Sequence, residues 1–209
     1  MNVLVIAPHP DDEAIGCGGA VCLHAARGDR VSAVFLTSGE LGLKHLPPEE
    51  AWRIREAEAR AAAEVLALSG VSFLRQPDWG VGDQIAEAAA ALRPVLQREA
   101  PELVYVPHPD DGHPDHVAAL PVLRAAVTQA AGAPSAPAVL AYEVWTPLGE
   151  FDHVEDITAV MRQKLRAVRC HASQMKEFRY DLAIRGLNRY RGALAARCRY
   201  AEVFRSVDL

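Results

Sequence analysis

Five short apolar runs, each separated from the next by a helical pattern, constrain this chain more than any other feature. Val3-Leu4-Val5-Ile6-Ala7 is continuously apolar, as a strand buried on both faces must be. Val31–Thr37, Val71–Leu74, Leu103–Val106 and Val139–Trp145 repeat the pattern. Helical patterns fill the intervals: Asp12 to about Arg27, a long segment opened by Pro47-Pro48-Glu49-Glu50 and running to about Leu68, Asp83–Arg98, and Pro114–Ala131. Pro94 and Pro121 are expected to kink or divide their helices. Such alternation predicts right-handed βαβ units, an α/β fold and a mostly parallel sheet. In a 3-2-1-4-5 strand order, ligands bind beyond the carboxyl ends of strands one and four. Residues 157–209 are expected to form a mostly helical C-terminal extension, with clear stretches near 158–171 and 180–197, all within a single domain over 1–209. Ala131–Pro137 reads as a surface loop.

Half of the residues are apolar and 23% are charged, a balance that supports one packed core and excludes wholesale disorder. No apolar run approaches the roughly 18 residues of a membrane span. The first residues read as a strand and not as a signal peptide. Four cysteines without a C-x-x-C pair point to reduced thiols and a cytoplasmic setting. The net charge of −5 conceals an asymmetry: residues 157–209 carry 12 Lys/Arg and 4 Asp/Glu, residues 1–156 carry 10 and 23. That acidic body argues against a dedicated nucleic-acid binder. The basic tail is expected to dock on the body or on a neighbouring subunit; the alternative is that Arg189 or Arg191 holds an anionic part of a ligand.

The two densest His/carboxylate clusters fall at the two strand ends the topology selects. Pro8-His9-Pro10-Asp11-Asp12-Glu13 follows the first strand, and Pro107-His108-Pro109-Asp110-Asp111-Gly112-His113-Pro114-Asp115-His116 follows the fourth. Imidazole with carboxylate favours zinc, iron(II) or a similar divalent ion over calcium or magnesium. A catalytic zinc takes three protein ligands, which His9, Asp12 and His116 can supply. Asp11 is then a candidate general base, His113 an acid or oxyanion donor, and Asp115 a carboxylate that orients the His113 ring. Because Pro-His-Pro-Asp-Asp occurs twice, His108 and Asp111 stand as rival ligands on spacing alone.

These motifs resemble the LmbE-like, or PIG-L, family of zinc-dependent N-deacetylases, including the bacillithiol- and mycothiol-type enzymes. The resemblance covers nearly the whole chain. It rests on His9–Glu13 (His-Pro-Asp-Asp-Glu) and His113–His116 (His-x-Asp-His), with weaker support from Thr37-Ser38-Gly39-Glu40, Arg55–Glu58 and His171–Gln174. It implies a Rossmann-like three-layer sandwich and hydrolysis of an acetamide on an N-acetylglucosamine-containing small molecule. It implies His9, Asp12 and His116 as metal ligands, against His108, with Asp11 as base, His113 as acid or oxyanion donor and Asp115 as its partner. A homo-oligomer is a further expectation from the family. Rival readings are an esterase or phosphoesterase on the same site, with Asp110 and Asp111 serving a second metal, and a non-catalytic sugar-binding protein. No G-x-G-x-x-G follows strand one, which disfavours a dinucleotide.

Substrate contacts are weaker candidates. Arg55 is read either as a ligand for an anionic or hydroxyl group or as a solvent-facing helix residue. Asp78-Trp79-Gly80 offers hydrogen bonds to sugar hydroxyls and a stacking face, or an ordinary turn. Glu40 lies beyond strand two, facing the same crevice, where a structural hydrogen bond is expected. His171, Ser173 and Gln174 are expected to make an interhelical contact, and His24, His45 and His153 to be structural. Tyr142, Trp145 and Asn188–Arg191 are read as pocket wall or subunit interface.

Overall fold

The computed structural model describes residues 1–128 and 136–209. The chain runs β1 (Asn2–Ala7), α1 (Asp12–Gly16), α2 (Gly18–Ala26), β2 (Arg30–Thr37), α3 (Pro48–Leu66), β3 (Gly70–Gln76), α4 (Ile85–Glu99), β4 (Leu103–Pro107), α5 (Pro114–Thr128), β5 (Ala138–Tyr142), β6 (His153–Asp156), α6 (Met161–Cys170), α7 (Ala172–Met175), α8 (Tyr180–Arg191) and β7 (Ala201–Ser206). Most of the surface loop expected at Ala131–Pro137 lies outside the described residues.

The sheet order is β3-β2-β1-β4-β5-β7-β6. The first five strands are parallel in the predicted 3-2-1-4-5 order, with the switch between β1 and β4. Both faces are covered, so alternate residues of one strand serve two cores. Val3, Val5 and Ala7 pack with Ala20 and Val21 of α2, Ala59 and Leu66 of α3 and Val168 of α6. Leu4 and Ile6 pack with Leu92 of α4 and Leu123 of α5. The layers are therefore helix, sheet, helix. Neither Pro94 nor Pro121 ends its helix.

Two expectations change. The helix from Asp12 is two helices broken at Cys17. The C-terminal portion is not all helical: β7 pairs antiparallel with β5 and with β6, extending the sheet by two strands. Glu202 of β7 accepts from the amides of Gly19 and Ala20, each at 2.7 Å, at the N-terminus of α2. It also takes the fully buried Lys164 ammonium of α6 at 2.6 Å. A carboxylate at a helix N-terminus complements the dipole, and here it ties tail to body.

The tail docks through its cations. Arg191 is buried, donating to Glu143 and, at 2.7 Å, to the Leu148 carbonyl. Arg189 lies over the Tyr200 ring and Arg205 pairs with Asp110. Asn188 is buried on the Ala201 carbonyl and Tyr142 is buried with its hydroxyl on the Ile6 carbonyl, so both hold the fold together.

Candidate active site

The loops after β1, β2, β3 and β4 all end at one crevice, because parallel strands bring their carboxyl ends to the same side. His9, Asp11 and Asp12 come from the first, Glu40 from the second, Asp78 and Trp79 from the third, His113, Asp115 and His116 from the fourth.

Three donor atoms converge there. His9 Nδ1 lies 3.2 Å from Asp12 Oδ2 and 3.2 Å from His116 Nε2, and Asp12 Oδ2 lies 3.3 Å from His116 Nε2. Each ring is turned by its other nitrogen. His116 Nδ1 is 3.0 Å from Asp111 Oδ1. His9 Nε2 is 3.1 Å from Asp78 Oδ1 and 3.2 Å from Asp115 Oδ2. Donation to those carboxylates leaves two imidazole lone pairs and a carboxylate oxygen facing one another. That arrangement is repulsive unless a cation lies between them. Ligands about 2.0–2.1 Å from a tetrahedral ion are about 3.3 Å apart, so the donor set fits a small divalent metal. His113 also lies within ligand range of His9 and His116. However, its Nδ1 accepts the Asp115 amide at 3.2 Å, which leaves a proton on Nε2.

Electrostatics separate the groups. Without a cation among the donors, burial works against a charged His9, but its hydrogen bonds to the carboxylates of Asp115, Asp12 and Asp78 raise its pKa well above the usual histidine value. His116 is likewise carried to about 9, with Asp12 and Asp111 outweighing burial. Burial opposes ionisation of Asp12, yet His116 and His9 hold it well below the carboxylate range. Burial pushes Asp11 up to about 6 against the opposing charge of Arg55. Burial and the neighbouring His9 and His116 charges lower His113 to about 4.

Several expectations are corrected here. The Asp115 carboxylate accepts from the amides of Trp79 and Val81 and faces His9; it is the Asp115 backbone that bonds the His113 ring. His108 turns away, with Nε2 2.7 Å from the Thr146 carbonyl. Asp111 orients His116 and accepts from the amides of His113, Trp145 and Thr146. Arg55 is not a solvent-facing residue: it is 3% exposed and bonds Asp11 Oδ2 at 3.1 Å and the Gly39 and Pro10 carbonyls. Gly39, at φ 61°, suits both the left-handed backbone and the close approach of Arg55, since a Cβ there would lie 2.1 Å from the guanidinium. Glu40 makes its expected structural bond, accepting the Asp78 amide at 3.1 Å. Asp78 is committed to His9 and to the Leu41 amide.

A cavity of about 510 Å³ opens over His9 and Asp12, with His116 buried behind them. Asp11, Arg55, Trp79, His113 and Trp145 line it as the sequence suggested, and so do Lys44, His45, Phe178 and Tyr180, which it did not. His45 is therefore a wall of the cavity and not a structural histidine. No local signal marks it, since it sits in a turn whose path depends on α3. His24 and His153 remain structural, on Asp29 and Glu155.

The crevice has close counterparts. The diacetylchitobiose deacetylase of Thermococcus kodakarensis is 33% identical over 99% of this chain and 83% of its own. The solved N,N'-diacetylchitobiose deacetylase of Pyrococcus horikoshii superposes with a TM-score of 0.86 at 27% identity, covering 98% of this chain and 83% of its own. GalB of Pseudomonas putida, a 4-carboxy-2-hydroxymuconate hydratase, superposes at 0.78 with 29% identity over 100% of this chain and 97% of its own. The family model PIG-L, described as GlcNAc-PI de-N-acetylase, matches residues 4–127. That match spans both crevice loops, His9–Asp12 and His113–His116, and this chain belongs to the PIG-L family.

Proposed function

We propose that this protein is a metal-dependent N-deacetylase that hydrolyses the acetamide of a small N-acetylglucosamine-containing conjugate to acetate and a free amine. The observation that carries the reading is the convergence of His9 Nδ1, Asp12 Oδ2 and His116 Nε2 at the floor of a cavity that His9, Asp11 and Asp12 line. The deacetylase relatives support the substrate class. The mixed imidazole–carboxylate set favours zinc. When bound, the cation supplies Lewis acidity toward water and toward the acetamide carbonyl.

The chain's own residues handle the protons. Arg55 holds Asp11 Oδ2, leaving Oδ1 to take a proton from the attacking water. The water oxygen adds to the carbonyl carbon. His113, whose Nδ1 accepts the Asp115 amide so that Nε2 carries the proton, donates a hydrogen bond to the developing oxyanion. The proton held by Asp11 then passes to the amine nitrogen as the C–N bond breaks. Trp79 and Trp145 flank His113 and offer faces for a sugar ring.

A second reading has one observation in its favour. The likeness to GalB extends over the whole chain, so addition of water to a carbon–carbon double bond of a small tricarboxylate suits the same water-activating groups. The experiment is a panel of N-acetylglucosaminides with sugar, inositol and malate aglycones, with amine release measured with and without a chelator. Chelator-sensitive release is expected from at least one. No release from any of them, together with loss of absorbance from an unsaturated hydroxytricarboxylate, would transfer the assignment to hydration.

A further inference from the structure

Asp11 has a backbone that an L residue avoids. Its φ is 137° and its ψ is −26°. Such conformations persist where the surroundings over-determine them, and they gather at active sites. Three groups hold this residue. Its carbonyl accepts the amides of Ala14 and Ile15, the first turn of α1. Its carboxylate is gripped by Arg55. Its amide, the group that fixes which way the strained peptide faces, donates to Glu13 Oε2 at 3.0 Å.

Glu13 belongs to the first turn of α1, yet its side chain turns back toward the loop. A carboxylate reaching back to the N-cap amide resembles the second half of a capping box, although Glu13 stands at the second helical position and not the third. Here the usual first half is missing, because Asp11 makes no side-chain cap bond. The other oxygen, Glu13 Oε1, lies 3.2 Å from His171 Nε2, contributed by the junction of α6 and α7, 158 residues further on. Both residues are 1% exposed. Among the described residues His171 Nδ1 has no partner, so the ring spends its one side-chain bond on Glu13. Neither Glu13 nor His171 lines the cavity.

We propose that Glu13, braced by His171, is a positioning residue that locks Asp11 in its strained conformation and so aims its carboxylate into the cavity. The proposal rests on the role of Asp11 in the deacetylase reading. It also gives the tail a second role, because the junction of its first two helices reaches through the body to hold the base. Breaking the brace lets Asp11 relax toward ordinary backbone angles, and misplacement of a reacting group by about 1 Å costs on the order of 100-fold in rate.

Two measurements test it. The first is a thermal-unfolding cycle that needs no substrate. Glu13→Ala is made with Asp11 and with Asp11→Gly. Glycine adopts positive φ freely and has no strain to release, so Glu13→Ala is expected to lower Tm by at least about 3 °C with glycine at position 11 and clearly less with Asp11, where relaxation of the strained backbone offsets part of the loss. Equal losses in both backgrounds would overturn the clamp. The second is steady-state kinetics on the metal-loaded enzyme. Glu13→Ala and His171→Leu are expected to lower kcat by about 10- to 100-fold with KM nearly unchanged, while Glu13→Gln, which keeps an acceptor for the Asp11 amide, restores most of it. Folded variants with parental kcat would reduce the pair to a structural cap and overturn the proposal. If Glu13→Ala folds only with Asp11, the coupling is supported; if it folds only with glycine at position 11, the clamp is overturned. If it folds in neither background, His171→Leu decides. Absence of turnover in the parent enzyme counts against the deacetylase reading alone, because the thermal cycle still reports on the clamp.

Discussion

Asp111 Oδ1 lies 3.0 Å from His116 Nδ1, with both side chains fully buried. This bond sets the His116 tautomer and points Nε2 at Asp12 and His9. Carboxylates behind a metal-binding imidazole typically carry 10- to 100-fold in metal affinity. Asp111→Asn is therefore expected to weaken metal binding by about that factor, read by competition with a chromophoric chelator. Affinity equal to the parent's would remove Asp111 from the site.

Asp11→Ala, with metal content verified, is expected to lower turnover by about two to four powers of ten. Amine release from the best substrate of the panel is the measurement. Undiminished turnover would assign the proton transfer to another group.

Lys164 is buried against Glu202, whose oxygens also serve the amides of Gly19 and Ala20. Removing one partner of a buried pair leaves the other charge uncompensated and costs about 3–5 kcal/mol. Lys164→Ala is expected to show a loss of that size in urea titration, whereas Arg27→Ala, at an exposed pair 3.6 Å long, costs below about 1 kcal/mol. A loss below about 1 kcal/mol for Lys164→Ala would mean that the pair contributes no more than a surface one.

Glu56 gives the fold an acid-sensitive joint. Burial pushes its pKa up, but hydrogen bonds from Arg75 and Ser38 outweigh it and hold the carboxyl below its ordinary 4.5. A depressed folded pKa contributes stability that is fully present above pH 4.5 and lost as pH falls through the folded value. The Tm gap between parent and Glu56→Gln is expected to be largest near neutrality and to close on acidification below 4.5. A gap that stays constant down to pH 3 would show that the carboxylate charge contributes nothing.

Arg189 and Arg191 are committed to Tyr200 and to Glu143, and neither lines the cavity. Arg189→Ala is expected to leave kcat/KM for carboxylate-bearing and neutral aglycones in the same ratio. A selective loss with the carboxylate-bearing substrates would bring the tail back to the cavity mouth.

Much of the fold and site is legible in the sequence because it follows from short-range pattern. A parallel strand buried on both faces must be apolar at every position, so β1, β2 and β4 declare themselves. Their order places His9–Asp12 and His113–His116 on one crevice before any geometry is seen. β7 is less legible: Ala201–Ser206 mixes apolar residues with Glu202 and Arg205, and its strand character comes from pairing with β5 and β6. Arg55 lies on a helix with many charged residues, and only the packing of α3 over Gly39 buries it.

By itself, then, the sequence determined the α/β class, the alternation that makes a parallel sheet and the His/Asp clusters that follow the first and fourth strands, since each depends on residue type and local period. The tertiary structure alone decided which nitrogen of each histidine faces inward, that Asp115 supports His9, that Asp111 supports His116, and that Glu13 and His171 meet across 158 residues of chain. Those choices depend on distances of about 3 Å between groups far apart in the chain, where a hydrogen bond is made or lost within a few tenths of an ångström.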